Sequence, residues 1–262
     1  MPSPMDPRSS YRYLGRSALQ VSPLCLGAMM FGGEADVATA QRIIASAHAQ
    51  GINFLDTADV YHVGRSEEIV GRAVAGQRDD WVLASKFGFP AAAGAGPNRQ
   101  GQSRKWIMQS LEASLRRLGT DYLDILYFHR ALTDVTLEEG LRAIDDLIRQ
   151  GKLRYYGVSN FHGWRIADVV RMADQLGMPR PIASEPLYNI VDRKAEVEQL
   201  PAAFHLGLGS VSYSPLARGV LSGKYAPDTP PPADSRAGRG DKRIAQTEWR
   251  PESLRIAQAV AA

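Results

Sequence analysis

Cysteine, long apolar runs and a strong excess of one charge are scarce or missing in this sequence of 262 residues. Cys25 is the only cysteine, so no disulfide can form within the chain and a reducing compartment is expected. No run approaches the roughly 18 apolar residues of a membrane span, and residues 1–10 lack the apolar core of a signal peptide. These absences predict a cytoplasmic protein with a disordered tail over residues 1–10.

Neither the charge nor the spacing of possible ligands indicates nucleic acid or a metal. The 31 Lys and Arg residues exceed the 28 Asp and Glu residues by only +3, and they are scattered along the chain. His, Asp and Glu residues do not have the spacing of metal ligands. The sequence therefore predicts no nucleic-acid, membrane or metal partner, and it leaves the oligomeric state open.

Short apolar runs alternate with amphipathic stretches of helical period. The runs begin near Leu24, Ile52, Trp81, Leu123, Leu153, Ile182 and Gly209. The helical stretches include residues 38–50, 103–118, 137–150 and 164–176, each followed by a glycine that favours a helix end. This alternation indicates βαβ units and a parallel sheet.

The type of parallel sheet follows from a missing motif. No Gly-x-Gly-x-x-Gly turn follows any of the predicted strands, which disfavours a doubly wound nucleotide-binding sheet. We therefore predict an α/β fold, a (β/α)8 TIM barrel, as a single domain over residues 11–262 that begins with a β-hairpin. Residues 88–101, rich in Gly, Ala and Pro, are expected to form a mobile loop after the third strand.

Polar side chains recur at the carboxyl ends of the predicted strands, where barrel enzymes place their catalytic groups. Asp56 ends the second strand with Tyr61 close behind, Lys86 ends the third and His129 ends the fourth. Taken singly, these residues also fit a turn cap, a packing residue, a solvated strand end and a structural histidine. Together at one edge of a barrel, they favour a shared site.

These four residue types suit the reduction of a carbonyl group. Tyr61 can donate a proton to the carbonyl oxygen, although a tyrosine pKa of about 10 makes this donation weak at neutral pH. Lys86, held by Asp56, is expected to lower that pKa, and His129 to orient the oxygen by a hydrogen bond. Because no side chain supplies hydride, the interpretation requires a cofactor, most simply a reduced nicotinamide.

The later strands end in groups suited to that cofactor. Ser159 and Asn160, at the end of the fifth predicted strand, can hydrogen-bond a carboxamide. Tyr213, after the seventh strand, can stack on a nicotinamide ring. Both groups would lie at the same edge of the barrel as Tyr61.

These motifs resemble those of the aldo-keto reductase family. The family's Asp-Thr-Ala-x-x-Tyr stands at residues 56–61, its Ser-Lys at residues 85–86 and its Gly-Val-Ser-Asn-Phe at residues 157–161. His129 matches its strand-terminal histidine, and the similarity runs from residue 11 to residue 225.

The resemblance implies NADPH-dependent reduction of an aldehyde or ketone to an alcohol. Tyr61 would be the general acid, and Asp56, Lys86 and His129 would complete a catalytic tetrad. Residues 213–219 resemble the family's loop that stacks on nicotinamide and wraps the pyrophosphate. The implied NADPH site comprises Ser159, Asn160, Glu185, Tyr213, Ser214, Pro215, Leu216 and Arg218.

The sequence departs from the family pattern on the sixth strand, where Glu185 replaces the usual glutamine. A carboxylate accepts a hydrogen bond from a carboxamide NH₂ but donates one only when it is protonated. We therefore expect an altered cofactor affinity and not a loss of function.

The chain also departs from the family after Lys224. A Pro-rich stretch, residues 227–234, and a basic stretch, residues 236–243, lead into a helix expected to begin near Pro251. The family's eighth strand and last helix, with the basic residues that hold the adenosine 2′-phosphate, are expected to be missing. Composition favours a solvated loop over a phosphate site at Arg236, Arg239, Lys242 and Arg243. Since channel-associated relatives keep the tetrad, a nicotinamide-binding regulatory subunit and an inactive fragment remain alternative functions.

Overall fold

A computed structural model of the chain describes residues 10–227 and 229–261. The tail predicted over residues 1–10 lies outside the described residues except for Ser10. The first element is the predicted hairpin, in which β1 (Arg12–Tyr13) pairs antiparallel with β2 (Gln20–Val21).

Seven parallel strands follow in one sheet, and each strand pairs with the next along the chain. This strand order confirms the α/β fold of barrel type, and the sheet contains no eighth strand within residues 10–227 and 229–261. The strands are β3 (Cys25–Gly27), β4 (Phe54–Asp56), β5 (Val82–Phe87), β6 (Leu123–Phe128), β7 (Leu153–Ser159), β8 (Ala183–Glu185) and β9 (Gly209–Ser210).

The helices lie between these strands and after the last one. They are α1 (Val37–Ala49), α2 (Arg65–Val74), α3 (Arg104–Leu118), α4 (Leu137–Arg149), α5 (Gly163–Leu176), α6 (Gln199–Leu206), α7 (Lys242–Thr247) and α8 (Pro251–Ala261). The first, third, fourth and fifth begin and end within one residue of the predicted stretches, and α8 begins at the predicted proline. Among the helices of the described residues, none is long and apolar enough to span a bilayer.

Local sequence explains where the predicted helices begin and end. The side chain of Asp36 accepts a hydrogen bond from the backbone N–H of Thr39 at the start of α1, and Ser103 caps α3 in the same way. Gly119 and Gly177 end α3 and α5 with φ of 65° and 64°, in the left-handed region that glycine enters without steric cost.

Two apolar layers fix the sheet. The larger layer packs the outer face of the strands against the helices, with residues such as Leu83, Ile107 and Ile144 fully buried. The smaller layer packs residues of the other face, among them Phe54 and Tyr127, together with hairpin residues including Leu14 and Val21.

The hairpin covers the amino-terminal end of the barrel. The backbone N–H of Ser22 donates to Asn53 Oδ1 at 2.7 Å, just before β4, and the N–H of Arg16 donates to the Gly207 carbonyl at 2.9 Å, just before β9. The carboxyl ends of the strands, at the opposite end, therefore remain available for a site.

The segment after β9 is more ordered than its composition predicts. A third apolar cluster joins Ala217, Val220 and Tyr225 to Ile244 of α7 and Leu254 of α8. The predicted basic loop, residues 236–243, is only partly a loop, because its last two residues begin α7. Asp241 caps that helix by accepting from the backbone N–H groups of Arg243 and Ile244.

Gly157 gives a test of the packing between β6, β7 and β8. A Cβ atom at this position would lie 2.5 Å from Cε1 of the buried Tyr127 and 2.7 Å from the Ala183 carbonyl oxygen. We expect Gly157→Ala to lower the free energy of unfolding by about 1–3 kcal/mol, measured by denaturant titration. Gly96→Ala is the matched control, because a Cβ atom there meets nothing within 4 Å. Equal stability of the two variants would contradict the tight contact.

Candidate active site

The structure brings the four predicted catalytic side chains together at the carboxyl ends of adjacent strands. Asp56 is the last residue of β4, Lys86 is the penultimate residue of β5 and His129 directly follows β6. Tyr61 begins a short irregular turn, Tyr61–Gly64, after β4. The parallel register of β4, β5 and β6 places these tips side by side.

The ammonium group of Lys86 lies at the centre of this cluster. Its Nζ donates to Asp56 Oδ1, to the Thr57 carbonyl oxygen at 3.0 Å and to the Tyr61 hydroxyl at 3.4 Å. Only 1% of the Lys86 side chain is exposed, so the ammonium depends on these oxygens in place of water. Lys86 Nζ also lies 3.5 Å from Glu185 Oε1 on β8.

These contacts keep Lys86 charged. Burial lowers the pKa of Lys86, but the carboxylates of Asp56 and Glu185 outweigh burial and raise the pKa well above its ordinary value. Burial also raises the pKa of Asp56, and the Lys86 ammonium opposes that shift. The cluster therefore presents a permanent positive charge to the Tyr61 hydroxyl.

Two opposed effects set the pKa of Tyr61. Burial raises the pKa of Tyr61 to about 12, and the Lys86 ammonium lowers it only in part. Lys86 thus acts in the predicted direction, but desolvation of the phenol is the larger effect, so the pKa of Tyr61 is raised overall. Tyr61 is consequently a neutral hydroxyl group, able to donate, throughout the neutral pH range.

His129 is also held in its neutral form. Burial, followed by the positive charge of Lys86, lowers the pKa of His129 to about 3. Its ring packs edge-on against Tyr61 at a centroid distance of 5.9 Å and against Phe89 at 4.8 Å. Its buried Nδ1 has no hydrogen-bond partner among the described residues. A neutral imidazole in this position can donate one hydrogen bond to a substrate oxygen beside Tyr61.

The backbone after Tyr61 is strained, and buried hydrogen bonds hold it. His62, Val63 and Gly64 have φ of 48°, 56° and 87°, and a β-branched residue such as Val63 rarely adopts this conformation. The Thr57 and Ser66 hydroxyls lie 2.9 Å apart, and Ser66 Oγ donates to the Ala28 carbonyl at 2.7 Å. These bonds tie the turn to β3 and to the start of α2, which fixes the position of the Tyr61 ring.

A chain of hydrogen bonds joins the residues predicted to hold a nicotinamide carboxamide. The Tyr213 hydroxyl donates to Asn160 Oδ1 at 2.8 Å, and Asn160 Nδ2 donates to Ser159 Oγ at 3.0 Å and to the His129 carbonyl at 2.9 Å. Ser159 Oγ donates in turn to the Glu185 carbonyl at 3.1 Å. The structure therefore brings these predicted residues to the same end of the barrel as Lys86.

The rest of the predicted cofactor loop, Ser214, Pro215, Leu216 and Arg218, lies in the irregular segment after β9. Asn189 Nδ2 donates to the Ser214 carbonyl at 3.0 Å, and Leu216 is exposed. Arg218 already has a partner, because its Nε donates to Glu248 Oε2 at 2.9 Å and the side chains are only 10% and 2% exposed. The sequence contained no signal for this ion pair, since its partners are 30 residues apart.

A buried carboxylate on α2 supports the strand that carries Lys86. Glu67 is fully buried and accepts from Ser85 Oγ and from Arg117 Nε, each at 2.6 Å. It joins β5, α2 and α3 directly behind the site. Sequence reasoning missed Glu67 because α2 was not predicted, and the only available signal was a glutamate in the first turn of a helix after a glycine.

A cavity of about 630 Å³ lies beside α3 and the loop after β5, and its lining includes Asp59 and Trp106. None of the four predicted catalytic residues lines this cavity. Within the part of the chain that the structure describes, no group of His, Cys, Asp or Glu side chains is placed to hold a metal ion.

Comparison with known proteins gives a consistent result. A family model described as the Aldo/keto reductase family matches residues 23–262. Two curated proteins named "Probable voltage-gated potassium channel subunit beta", from Oryza sativa subsp. japonica and Arabidopsis thaliana, are 42% and 41% identical to the chain. Each match covers 86% of this chain and 69% of the relative. "Uncharacterized oxidoreductase YrpG" of Bacillus subtilis is 41% identical over 82% of this chain and 68% of its own length.

The protonation state of His129 can be measured directly. Burial lowers the pKa of His129 in the folded protein from 6.5 to about 3. Between these two pH values the unfolded chain binds one proton more than the folded chain, so acidification through that window destabilises the fold. In the folded protein we expect ¹⁵N NMR of the imidazole to report a neutral ring from about pH 8 to about pH 5. His129→Gln assigns the signal. A titration midpoint near 6.5 would contradict the burial of this ring.

Proposed function

The chain belongs to the aldo/keto reductase family, and on that premise we propose that it reduces an aldehyde or ketone to an alcohol by hydride transfer from NADPH. Membership of the family and the relative named as an oxidoreductase support an oxidoreductase role. The observation that carries the finer proposal is the buried Lys86 ammonium, which lies 3.4 Å from the Tyr61 hydroxyl and bonds to Asp56.

The proposed chemistry assigns one task to each side chain. His129 donates a hydrogen bond to the carbonyl oxygen of the substrate and orients it toward Tyr61. NADPH, when bound, would supply the hydride that the carbonyl carbon accepts. The oxygen then takes the proton of the Tyr61 hydroxyl, and the resulting phenolate is stabilised by Lys86. Asp56 keeps the ammonium in place during this transfer.

The polar side chains after β7 and β9, together with Glu185, fit the carboxamide of a nicotinamide. Ser159, Asn160 and Tyr213 are already linked by hydrogen bonds, so these side chains need little rearrangement when a nicotinamide binds. Glu185 Oε2 is buried without a partner among the described residues, which leaves it free for the ring amide. At the phosphate end, Arg218 is engaged by Glu248, so an anion that binds there has to compete with that carboxylate.

A nicotinamide-binding regulatory subunit is the second candidate. The names of the two plant relatives favour it, because both are called potassium channel subunits and are 42% and 41% identical to this chain. The two candidates predict different behaviour with a panel of aldehydes and ketones. Multiple turnovers with any of them support the reductase, whereas NADPH binding without turnover supports the regulatory subunit.

Removal of one hydroxyl tests the proton donor. We expect Tyr61→Phe to keep NADPH binding, measured by fluorescence quenching or thermal stabilisation, and to lose carbonyl reduction by about a hundredfold or more. Tyr122→Phe is the matched control, because its exposed hydroxyl donates to Asp79 Oδ1 at 3.0 Å and Tyr122 directly precedes β6, at the end of the barrel opposite to the site. Unchanged turnover in Tyr61→Phe would reject the assignment of the donor.

The same binding assay tests the cofactor. If the wild-type chain shows neither fluorescence quenching nor thermal stabilisation with NADPH, the proposed reductase activity of this chain is rejected.

A further inference from the structure

Two carboxyl groups share the single ammonium group of the site. Lys86 Nζ bonds to Asp56 Oδ1 from β4 and lies 3.5 Å from Glu185 Oε1 from β8. All three side chains are at most 10% exposed. The second oxygens, Asp56 Oδ2 and Glu185 Oε2, are buried and have no hydrogen-bond partner among the described residues.

Full ionisation of these groups would leave a net negative charge inside the barrel. One ammonium balances only one carboxylate, and an unbalanced buried charge costs far more than a neutral acid. Other charged and titratable groups that face Glu185 from neighbouring elements do not supply a second cation. They are Cys25 on β3, Tyr61 after β4, Tyr127 on β6 and Tyr213 after β9.

The geometry decides which carboxyl group takes up a proton. Asp56 accepts a direct hydrogen bond from Lys86, which stabilises its ionised form. The carboxyl group of Glu185 is held more weakly, because its Oε1 lies 3.5 Å from Lys86 Nζ and its Oε2 has no hydrogen-bond partner among the described residues. The proton therefore belongs on Glu185.

We propose that Glu185 is a positioning residue that carries a proton at neutral pH, so that it offers a nicotinamide amide both a hydrogen-bond donor and an acceptor and binds the cofactor in a pH-dependent way. This inference rests on the proposed function for its ligand. It adds a protonation state and a regulation by pH that the substitution of glutamate for glutamine does not by itself imply.

The pH dependence has a definite sign. Burial, followed by the charge of Asp56, raises the pKa of Glu185 to about 8. Below that value Glu185 matches the hydrogen-bonding pattern of a glutamine amide. Above it the residue loses its donor and adds a negative charge beside Lys86. Cofactor affinity is therefore highest at neutral pH and falls as the pH rises through about 8.

The protonation state can be measured without any cofactor. In protein labelled with ¹³C at the glutamate side-chain carboxyl, we expect one resonance to titrate with a midpoint near 8. Glu185→Gln should remove this resonance. Glu248→Gln is the matched control, since Glu248 is also buried but pairs with Arg218, and should leave the resonance in place. A Glu185 midpoint near the ordinary value of about 4.3 would overturn the proposal.

A second variant keeps the test valid if Glu185→Gln does not fold. Asp56→Asn removes the competing negative charge, so the Glu185 midpoint should move to lower pH. A midpoint unchanged by Asp56→Asn would mean that the two carboxyl groups do not share the ammonium.

Cofactor binding provides the functional test. We expect the Kd of the wild-type chain for NADPH to rise about tenfold between about pH 7 and about pH 9, and that of Glu185→Gln to stay constant. The same rise in both proteins would overturn the role of Glu185. If NADPH does not bind the wild-type chain at any pH, the proposed function fails, whereas the carboxyl titration still decides the protonation of Glu185.

Discussion

The buried ammonium group of Lys86 is the constraint on which the site depends. A charge with 1% exposure is stable only if protein oxygens replace water on every side. Those oxygens come from Asp56, Thr57, Tyr61 and Glu185, and therefore from β4, the turn after it and β8. The strands must meet at one end with their tips in register, and this is what a parallel barrel provides. The parallel arrangement of the strands therefore supplies the oxygens that stabilise the Lys86 ammonium.

The position of the polar groups at strand ends explains why part of the site could be predicted from the sequence. A strand whose apolar run ends in a polar residue gives two signals at once, so β4, β5 and β6 were located together with Asp56, Lys86 and His129. The long amphipathic helices, such as α1 and α4, were predicted because their period and capping residues are local features. Short elements such as α2 were missed, since few residues cannot establish a helical period.

Contacts between distant residues could not be predicted for a different reason. The pair of Arg218 and Glu248, and the burial of Glu67 against Ser85 and Arg117, depend on which side chains the fold brings together. The pKa of Tyr61 depends on the balance between burial and the attraction of Lys86, and this balance requires the actual depth of the ring. The sequence predicted which side chains lie together around Lys86, but the size of each effect depends on the tertiary structure.

Under the proposed function, Glu185 would connect the residues that hold the cofactor to Lys86 and Tyr61. A glutamine there would be neutral at every pH, and the charge on Lys86 would be balanced by Asp56 alone. With Glu185, the proton that completes the charge balance around Lys86 would also be the one that offers a donor to the ring amide of a bound nicotinamide. Loss of that proton would alter two interactions together, because the donor disappears and a second anion draws the ammonium away from Tyr61. Under the proposed function, a single buried proton would therefore couple the affinity for the cofactor to the electrostatic environment of Tyr61.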